Sequence, residues 1–245
     1  KKECGKNMLE IASEPNVKMP HSMENLLNVL EDSLYLAEKE EVKLLPLGTY
    51  PGSFSPSMRT DTRYRVQQEV FGKERFKIGG RVCGFHCHYT LPRGMFDANL
   101  RILKMLVNSK IKDSFVNSYN FAIAADPALA TFMQSSPFYQ GRFLGKDSRM
   151  IMYRAGRVFN NPHGFFAKHP SLGALPPYKS TAFDIIEIIK KRYSRWASLI
   201  DKVGINIRTL AIFFFRHRGC YCILQGGLRP FNLARICCIL NHEHR

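Results

Sequence analysis

The sequence contains no stretch of 18 consecutive apolar residues, and this excludes a membrane-spanning helix. Residues 1–14 lack the apolar segment of a secretory signal peptide, and the chain does not begin with methionine, so we interpret its start as processed or incomplete. Low-complexity composition is absent as well: 45% of the 245 residues are hydrophobic and 23% are charged. These properties predict a globular, cytoplasmic protein with a large core.

No run of five like charges occurs, so the sequence does not support a dedicated nucleic-acid-binding arm. The formal net charge is nevertheless +16. Residues 1–72 carry 9 basic and 11 acidic side chains. Residues 73–189 carry 16 basic and 7 acidic side chains, and residues 190–245 carry 11 basic and 2 acidic side chains. A positive field of this kind suits nucleic acid, a membrane surface or a nucleoside triphosphate, and it is equally compatible with a solvated surface.

Paired C-x-x-C motifs are also missing. Cys4, Cys83 and Cys87 are isolated, as is typical of reduced, buried thiols. The C-terminal part is rich in thiols and imidazoles, namely Cys220, Cys222, Cys237, Cys238, His217, His242 and His244. Such a cluster can hold zinc, but C-x-C and C-C spacings do not match the usual tetrahedral arrangement, so zinc and an ordinary tail both remain open.

Hydrophobic periodicity predicts a mixture of strands and helices. A strand over residues 7–13 places Glu10 between apolar neighbours. The predicted helices span residues 22–41, 61–71, 95–109, 113–125 and 180–200, the last one capped by Ser180, with a restart at Asp126-Pro127. The predicted strands span residues 42–47, 79–91 and 205–215, and the loops span residues 50–56, 134–149 and 160–179. Without regular βαβ alternation, this order favours the α+β class.

Three groups of residues could carry chemistry. His86 and His88 are two residues apart on a predicted strand and therefore share a face, where they could bind a metal or an anion. Glu10 would need a metal or an arginine partner if its strand is buried, or solvent if the strand lies at an edge. The loop from Ser135 to Arg149 combines serines, glycines and cations that suit phosphate or carboxylate oxygens, although it lacks the P-loop motif and could be an ordinary surface loop.

Four short motifs occur in one order: Met8-Leu9-Glu10-Ile11, Leu45-Pro46-Leu47-Gly48-Thr49-Tyr50-Pro51, Gly84-Phe85-His86-Cys87-His88, and Ser135-Ser136-Pro137-Phe138-Tyr139-Gln140-Gly141 with Ser148-Arg149. In this order, the chain resembles the carboxylate–amine ligases, the second family of glutamate–cysteine ligases, over residues 3–210. The resemblance implies a glutamine-synthetase-like funnel of antiparallel strands with helices outside. It also implies an ATP-dependent reaction that joins a glutamate-like carboxylate to an amine such as cysteine through an acyl phosphate.

The resemblance assigns roles to particular residues. Glu10 and His86 would bind the metal, Mg²⁺. His88, Lys146 and Ser148 would contact the nucleotide, and Arg142 and Arg149 would act on the phosphate or the substrate carboxylate during catalysis. Phosphoryl transfer requires this combination of a divalent metal and positive charge.

The chain also departs from the family pattern. Family members begin with a strand carrying closely spaced glutamates, which this chain lacks, and end with a Glu-x-Arg strand, whereas no acidic residue occurs here between Lys202 and His242. We therefore expect a truncated ligase-like core over residues 1–212 and a divergent Cys/Arg-rich tail over residues 213–245, which a change of reading frame could produce. We expect weak or absent ligase activity. The alternative is a non-catalytic protein that keeps the fold and binds a nucleotide or a partner chain.

The sequence also gives expectations about membranes, nucleic acids and other copies of the chain as partners. We expect no membrane association and disfavour nucleic acid, for which the salt dependence of binding would be the test. Strand edges left open by a missing N-terminal strand would favour association into a homo-oligomer.

Overall fold

A computed structural model describes residues 2–88, 96–97, 102–103, 110–154, 161–205 and 233–241. These residues form a mixture of helices and short strands, which confirms the α+β class. The helices are α1 (Met19–Lys39), α2 (Thr62–Phe71), α3 (Lys73–Phe76), α4 (Lys110–Phe132), α5 (Pro170–Gly173) and α6 (Ala182–Lys202). The strands are β1 (Met8–Ala12), β2 (Lys43–Leu45), β3 (Phe85–His88), β4 (Phe96–Asp97), β5 (Ile102–Leu103), β6 (Phe138–Tyr139), β7 (Arg142–Phe143) and β8 (Leu233–Asn241). No helix among these residues is long and apolar enough to cross a membrane.

The chain separates into two compact units. The first comprises Lys1–Tyr89, Ala130–Ala174 and Phe231–Arg245, and the second comprises Thr90–Leu129 and Leu175–Pro230. We drew the boundary between residues 212 and 213 from the sequence resemblance, and the division into two units does not bear on it. That boundary stays a prediction. Strand β8, however, comes from the segment that we assigned to the tail and pairs with three strands of the first unit.

The largest described sheet, which is antiparallel, is built around β8. Strand β1 pairs with β8 over residues 235–239, whereas β2 pairs with residues 239–241 and β3 with residues 233–236. Because Ile239 and Ile236 each pair with β1 and with a second strand, β2 and β3 must lie along the opposite edge of β8 from β1. The sheet therefore holds the predicted strands over residues 7–13 and 42–47 close to the predicted histidine strand.

Helix α1 covers one face of this sheet. Ile11 and the fully buried Leu26 form a small core, against which Leu9, Met23, Val29 and Leu30 pack. Alternation along β1 sends Leu9 and Ile11 to the helix side and Glu10 to the other side. The amphipathic spacing read from the sequence thus produces a helix-on-sheet layer, and the helix begins three residues earlier than we predicted.

A second core of the first unit is aromatic. Phe71 packs against Phe165 at a ring-centroid distance of 4.6 Å, and Phe76, Tyr153 and Phe166 extend the cluster. Large aromatic side chains dominate the burial of apolar surface in such a core. The cluster anchors α2 and α3 to Tyr153, Phe165 and Phe166.

The second unit contains a four-residue core between α4 and α6. Phe115 and Val116 of α4 pack with Ala182 and Ile185 of α6. At the start of α6, the Thr181 hydroxyl accepts the Asp184 backbone N–H at 3.1 Å, and the Asp184 carboxylate accepts the Thr181 backbone N–H at 2.9 Å. This capping box corrects our prediction of Ser180 as the cap by one residue.

Several other element predictions were wrong. We predicted a helix over residues 96–97 and 102–103, but these residues pair as strands β4 and β5. The prediction failed because a short apolar run does not distinguish a helix from a strand. Gly79–Arg81, predicted as strand, forms a 3₁₀ turn, as the adjacent glycines allow. Helix α4 runs through Pro127 without the predicted restart. The strand predicted over residues 205–215 lies outside the described residues except for Ile205.

Candidate functional site

Glu10 and His86 lie on the same face of the sheet. Glu10 is paired with Cys237 of β8, and His86 is paired with Arg235, two residues along the same strand. Paired residues share a face, and so do residues two apart on one strand. Glu10 and His86 therefore lie opposite the face that α1 covers. Glu10 is 8% exposed, whereas His86 is exposed.

A third ionisable residue, Glu3, interacts electrostatically with both Glu10 and His86 and was missed by the sequence analysis. Burial is the largest effect that raises the pKa of Glu3 above its ordinary value, and the nearby charge of Glu10 raises it further. Arg63, the Cys4 backbone amide and His86 act in the opposite direction on the pKa of Glu3. We call Glu3, Glu10, Arg63 and His86 the carboxylate cluster.

Backbone contacts hold Glu3 in place. The Arg59 Nε donates to the Glu3 carbonyl at 2.8 Å, and the Arg59 backbone N–H donates to the Cys4 carbonyl at 2.9 Å. The Lys6 backbone N–H donates to the Ser57 carbonyl at 2.8 Å. The segment from Glu3 to Lys6 is therefore fixed by residues more than 50 positions away, and no local sequence signal could have revealed this.

Two tyrosines border the carboxylate cluster. Burial raises the pKa of Tyr64 to about 12, and burial also raises the pKa of Tyr153 to about 12, with the charges of Glu3 and Cys4 adding to both shifts. The guanidinium of Arg63 lies over the Tyr64 ring, 4.3 Å from its centroid, and donates to the Tyr64 hydroxyl. Both phenols are therefore neutral near pH 7, and Arg63 is held against Tyr64, from where its charge acts on Glu3.

A second group of polar residues ties together two of the four motifs. The Thr49 Oγ1 donates to the Phe138 carbonyl at 2.8 Å and lies 2.8 Å from the Ser148 Oγ. The Ser148 backbone N–H donates to the Ser136 carbonyl at 2.8 Å. We call Thr49, Ser136 and Ser148, all of which are buried, the hydroxyl cluster.

Hydrogen bonds of Asp147 and Arg149 stabilise the loop that contains Ser136 and Ser148. The Asp147 carboxylate accepts the backbone N–H groups of Ser135 and Met150, each at 3.1 Å, and the Arg149 Nη2 at 3.2 Å. Arg149 Nη2 also donates to the Met133 carbonyl. The guanidinium predicted to act on phosphate is thus already engaged in the loop, and its catalytic role stays a prediction.

Two buried polar atoms near Gly48 have no hydrogen-bond partner in the described structure: Ser136 Oγ and Arg149 Nε. Both lie against the Cα of Gly48, where an added Cβ would be 2.4 Å from Ser136 Oγ and 2.9 Å from Arg149 Nε. Only glycine fits between them, which explains the residue type at this position of the second motif.

The four motifs of the sequence analysis are spatial neighbours in the first unit. The Cys83 backbone N–H donates to the Gly48 carbonyl at 2.9 Å, next to the third motif, and the Gly141 N–H donates to the Pro51 carbonyl at 2.9 Å. Met8 of the first motif is buried with Cys83, and Tyr50 packs against this pair. Segments separated by more than 120 residues therefore converge on one region.

The remaining predicted site residues are placed as follows. Arg142 and Lys146 are exposed on the hairpin of β6 and β7 and the turn after it, whereas Ser148 is fully buried beside Thr49. The backbone of His88 pairs with Leu233 in β8. Nucleotide contact by Lys146, Ser148 and His88, like the role of Arg142, stays a prediction.

Metal binding was also predicted for two places. Within the part of the chain that the structure describes, no three His, Cys, Asp or Glu residues are grouped so that they could hold a metal ion. Cys220, Cys222, His217, His242 and His244 lie outside the described residues, so the zinc alternative stays a prediction. Cys4 and Cys83 are not joined in disulfides among the residues that the structure describes.

Comparisons of the chain with family models, with curated proteins and with solved structures give no match.

Proposed function

We propose that this chain is an ATP-dependent carboxylate–amine ligase of the glutamate–cysteine type, with weak turnover. The observation that supports this most is the carboxylate cluster, in which Glu10 and His86 share one sheet face. The charges of Glu10, His86 and the exposed Arg63 all act on the pKa of Glu3. The finer fold that we propose is an incomplete glutamine-synthetase-like funnel built on the sheet around β8. The convergence of the four ordered motifs supports that fold.

The implied metal can be tested against the residues present. The negative charge of Glu10 raises the pKa of Glu3, and a divalent cation bound at this place would relieve that repulsion. The described residues do not supply a complete set of protein ligands for a metal ion. Mg²⁺, however, is commonly bound by one or two carboxylates together with substrate phosphates. We therefore propose Glu10 and Glu3 as a partial set of protein ligands for a Mg²⁺ ion that would bind together with ATP, whose phosphates would supply further ligands. His86 lies on the same sheet face as Glu10. When bound, the ion would neutralise charge on the transferred phosphoryl group.

The side chains of this chain would position the reactants. Arg63, whose charge acts on Glu3, would bind a substrate carboxylate, because a planar guanidinium can do so in a bidentate manner. Arg142 and Lys146, exposed on the neighbouring hairpin, would contact phosphate oxygens. The substrate carboxylate oxygen attacks the γ-phosphorus and ADP leaves. The amine nitrogen then attacks the acyl carbon, loses a proton and expels phosphate.

The alternative is a protein that binds the nucleotide or a partner chain without turnover. It is favoured by the incomplete set of protein donors and by the engagement of Arg149 with Asp147 in the loop. A cytoplasmic location and association into homo-oligomers remain part of the proposal, and neither changes the chemistry of the site.

The test is release of ADP and phosphate by the full chain with ATP, Mg²⁺, glutamate and cysteine, together with mass spectrometry of the amide product. We expect a slow, cysteine-dependent release that Glu10→Gln abolishes. His163→Ala, a change at an exposed histidine outside the cluster, is the matched control and should retain activity. Binding of ATP without product from any amine would favour the non-catalytic alternative.

A further inference from the structure

Two phenylalanine rings are exposed side by side on the hairpin of β6 and β7. Phe138 is 41% exposed and Phe143 is 69% exposed, and the two residues are paired across the hairpin. Their ring centroids are 5.2 Å apart with an interplanar angle of 53°. Exposure of a contiguous pair of large apolar side chains is a feature of binding surfaces.

The hairpin is held rigidly by contacts at its base and tip. The Phe138 carbonyl accepts the Thr49 hydroxyl at 2.8 Å, and the Pro137 carbonyl accepts the Leu144 N–H at 2.7 Å. At the tip, the Gln140 side chain accepts the Phe54 backbone N–H at 3.0 Å and donates to the Phe54 carbonyl at 2.8 Å. A surface fixed in this way loses little conformational entropy when a ligand binds.

The charge around the rings selects the type of ligand. Arg142 lies between the two phenylalanines in sequence and Lys146 follows them, both exposed, and residues 134–146 contain no acidic side chain. The positive charges of Arg142 and Lys146 would not contribute to binding a purely apolar partner. Aromatic faces beside cations are the usual surface on which a nucleotide base stacks while its phosphates are neutralised.

We propose that Phe138 and Phe143 form the stacking surface for the purine base of ATP, and that Arg142 and Lys146 bind its phosphates. This inference rests on the proposed function, because it assigns the nucleotide subsite of the same site. The hairpin is linked to the histidine strand through Thr49, which donates to the Phe138 carbonyl and also pairs with Val82, four residues before His86.

The test compares the binding of Mg-ATP and of Mg-tripolyphosphate, which has no base, to the full chain by calorimetry. We expect Phe143→Ala and Phe138→Ala each to weaken ATP binding by about five- to 150-fold. Tripolyphosphate binding should stay unchanged, and this also shows that the variants are folded. Phe143→Trp should keep the ATP affinity. The control is Phe183→Ala, at a 54% exposed phenylalanine of α6, which should bind both ligands like the wild type.

The outcomes separate this inference from the proposed function. Wild-type affinity for ATP in both alanine variants would overturn the stacking surface and leave the proposed function intact. Equal losses for ATP and tripolyphosphate would also overturn it, because the rings would then act on the phosphates or on the fold. Absence of ATP binding by the wild type would overturn the proposed function together with the inference.

Discussion

Thr49 and Ser148, which are 99 residues apart in the chain, share a buried hydrogen bond of 2.8 Å between their hydroxyl oxygens. This bond joins the second motif to the loop of the fourth and fixes the base of the hairpin that carries Arg142. The hydroxyl cluster therefore supports the hairpin, and most of the chemistry that we propose is assigned to the carboxylate cluster and the hairpin surface.

Thr49→Val should destabilise the protein. Valine keeps the shape of threonine but removes the bonds to the Phe138 carbonyl and to the fully buried Ser148 hydroxyl. Leaving buried polar groups unpaired typically costs about 1–3 kcal/mol. Urea unfolding measures the difference in the free energy of unfolding. Thr60→Val, at an exposed threonine, should change it by less than about 0.5 kcal/mol, and equal effects of the two variants would contradict this role.

Gly48→Ala should also destabilise the protein, because the new methyl group would lie 2.4 Å from Ser136 Oγ. Overpacking of this kind typically costs about 1–3 kcal/mol. The Cβ of Gly79→Ala would meet nothing closer than 3.6 Å, so this control should unfold at nearly the wild-type urea concentration. Adding Ser136→Ala to Gly48→Ala should recover part of the loss. A double variant no more stable than Gly48→Ala would show that the contact with Ser136 is not the cause.

The raised pKa of Glu3 predicts a pH-dependent stability. The folded protein binds the Glu3 proton more tightly than the unfolded chain, so the resulting stabilisation is complete below the ordinary pKa of 4.5 and is lost as the pH rises through the folded pKa. Glu3→Gln removes the ionisation. The free energy of unfolding of Glu3→Gln relative to wild type should therefore increase from pH 4 to pH 7. Glu24→Gln, at an exposed carboxyl of α1, is the control. A difference between Glu3→Gln and wild type that does not vary with pH would contradict the environment assigned to Glu3.

Lys146→Ala should weaken ATP binding in a salt-dependent manner. Lys146 is exposed, so its interaction with phosphate is worth about as much as a surface ion pair, which corresponds to a loss of roughly two- to fivefold in affinity. Because salt screens exposed charges, the difference between variant and wild type should shrink from low salt to about 0.5 M salt. Lys168→Ala, at an exposed lysine elsewhere in the first unit, should bind like the wild type. A loss that stays constant with salt would contradict a direct phosphate contact.

Periodicity was sufficient to predict the presence of β1, α1 and α6. It did not predict burial fully, because large apolar residues of both helices, such as Leu34 and Phe183, are exposed. It also identified Glu10 as an acid within a largely buried strand. The missed residues depend on long-range contacts: Glu3 is fixed by Arg59, and Thr49 reaches a loop about 90 residues away. Strand β8 was not predicted, since its run of mostly apolar residues lies in a segment whose composition we interpreted as a divergent tail.

The most direct test of the ligase proposal is a calorimetric titration of the full chain with ATP, with and without Mg²⁺, using the wild type, His86→Ala and the control His163→Ala. We predict binding that requires Mg²⁺, that persists in His163→Ala and that is abolished in His86→Ala. Absence of ATP binding under either condition, or unchanged binding in His86→Ala, would contradict a nucleotide site at the carboxylate cluster.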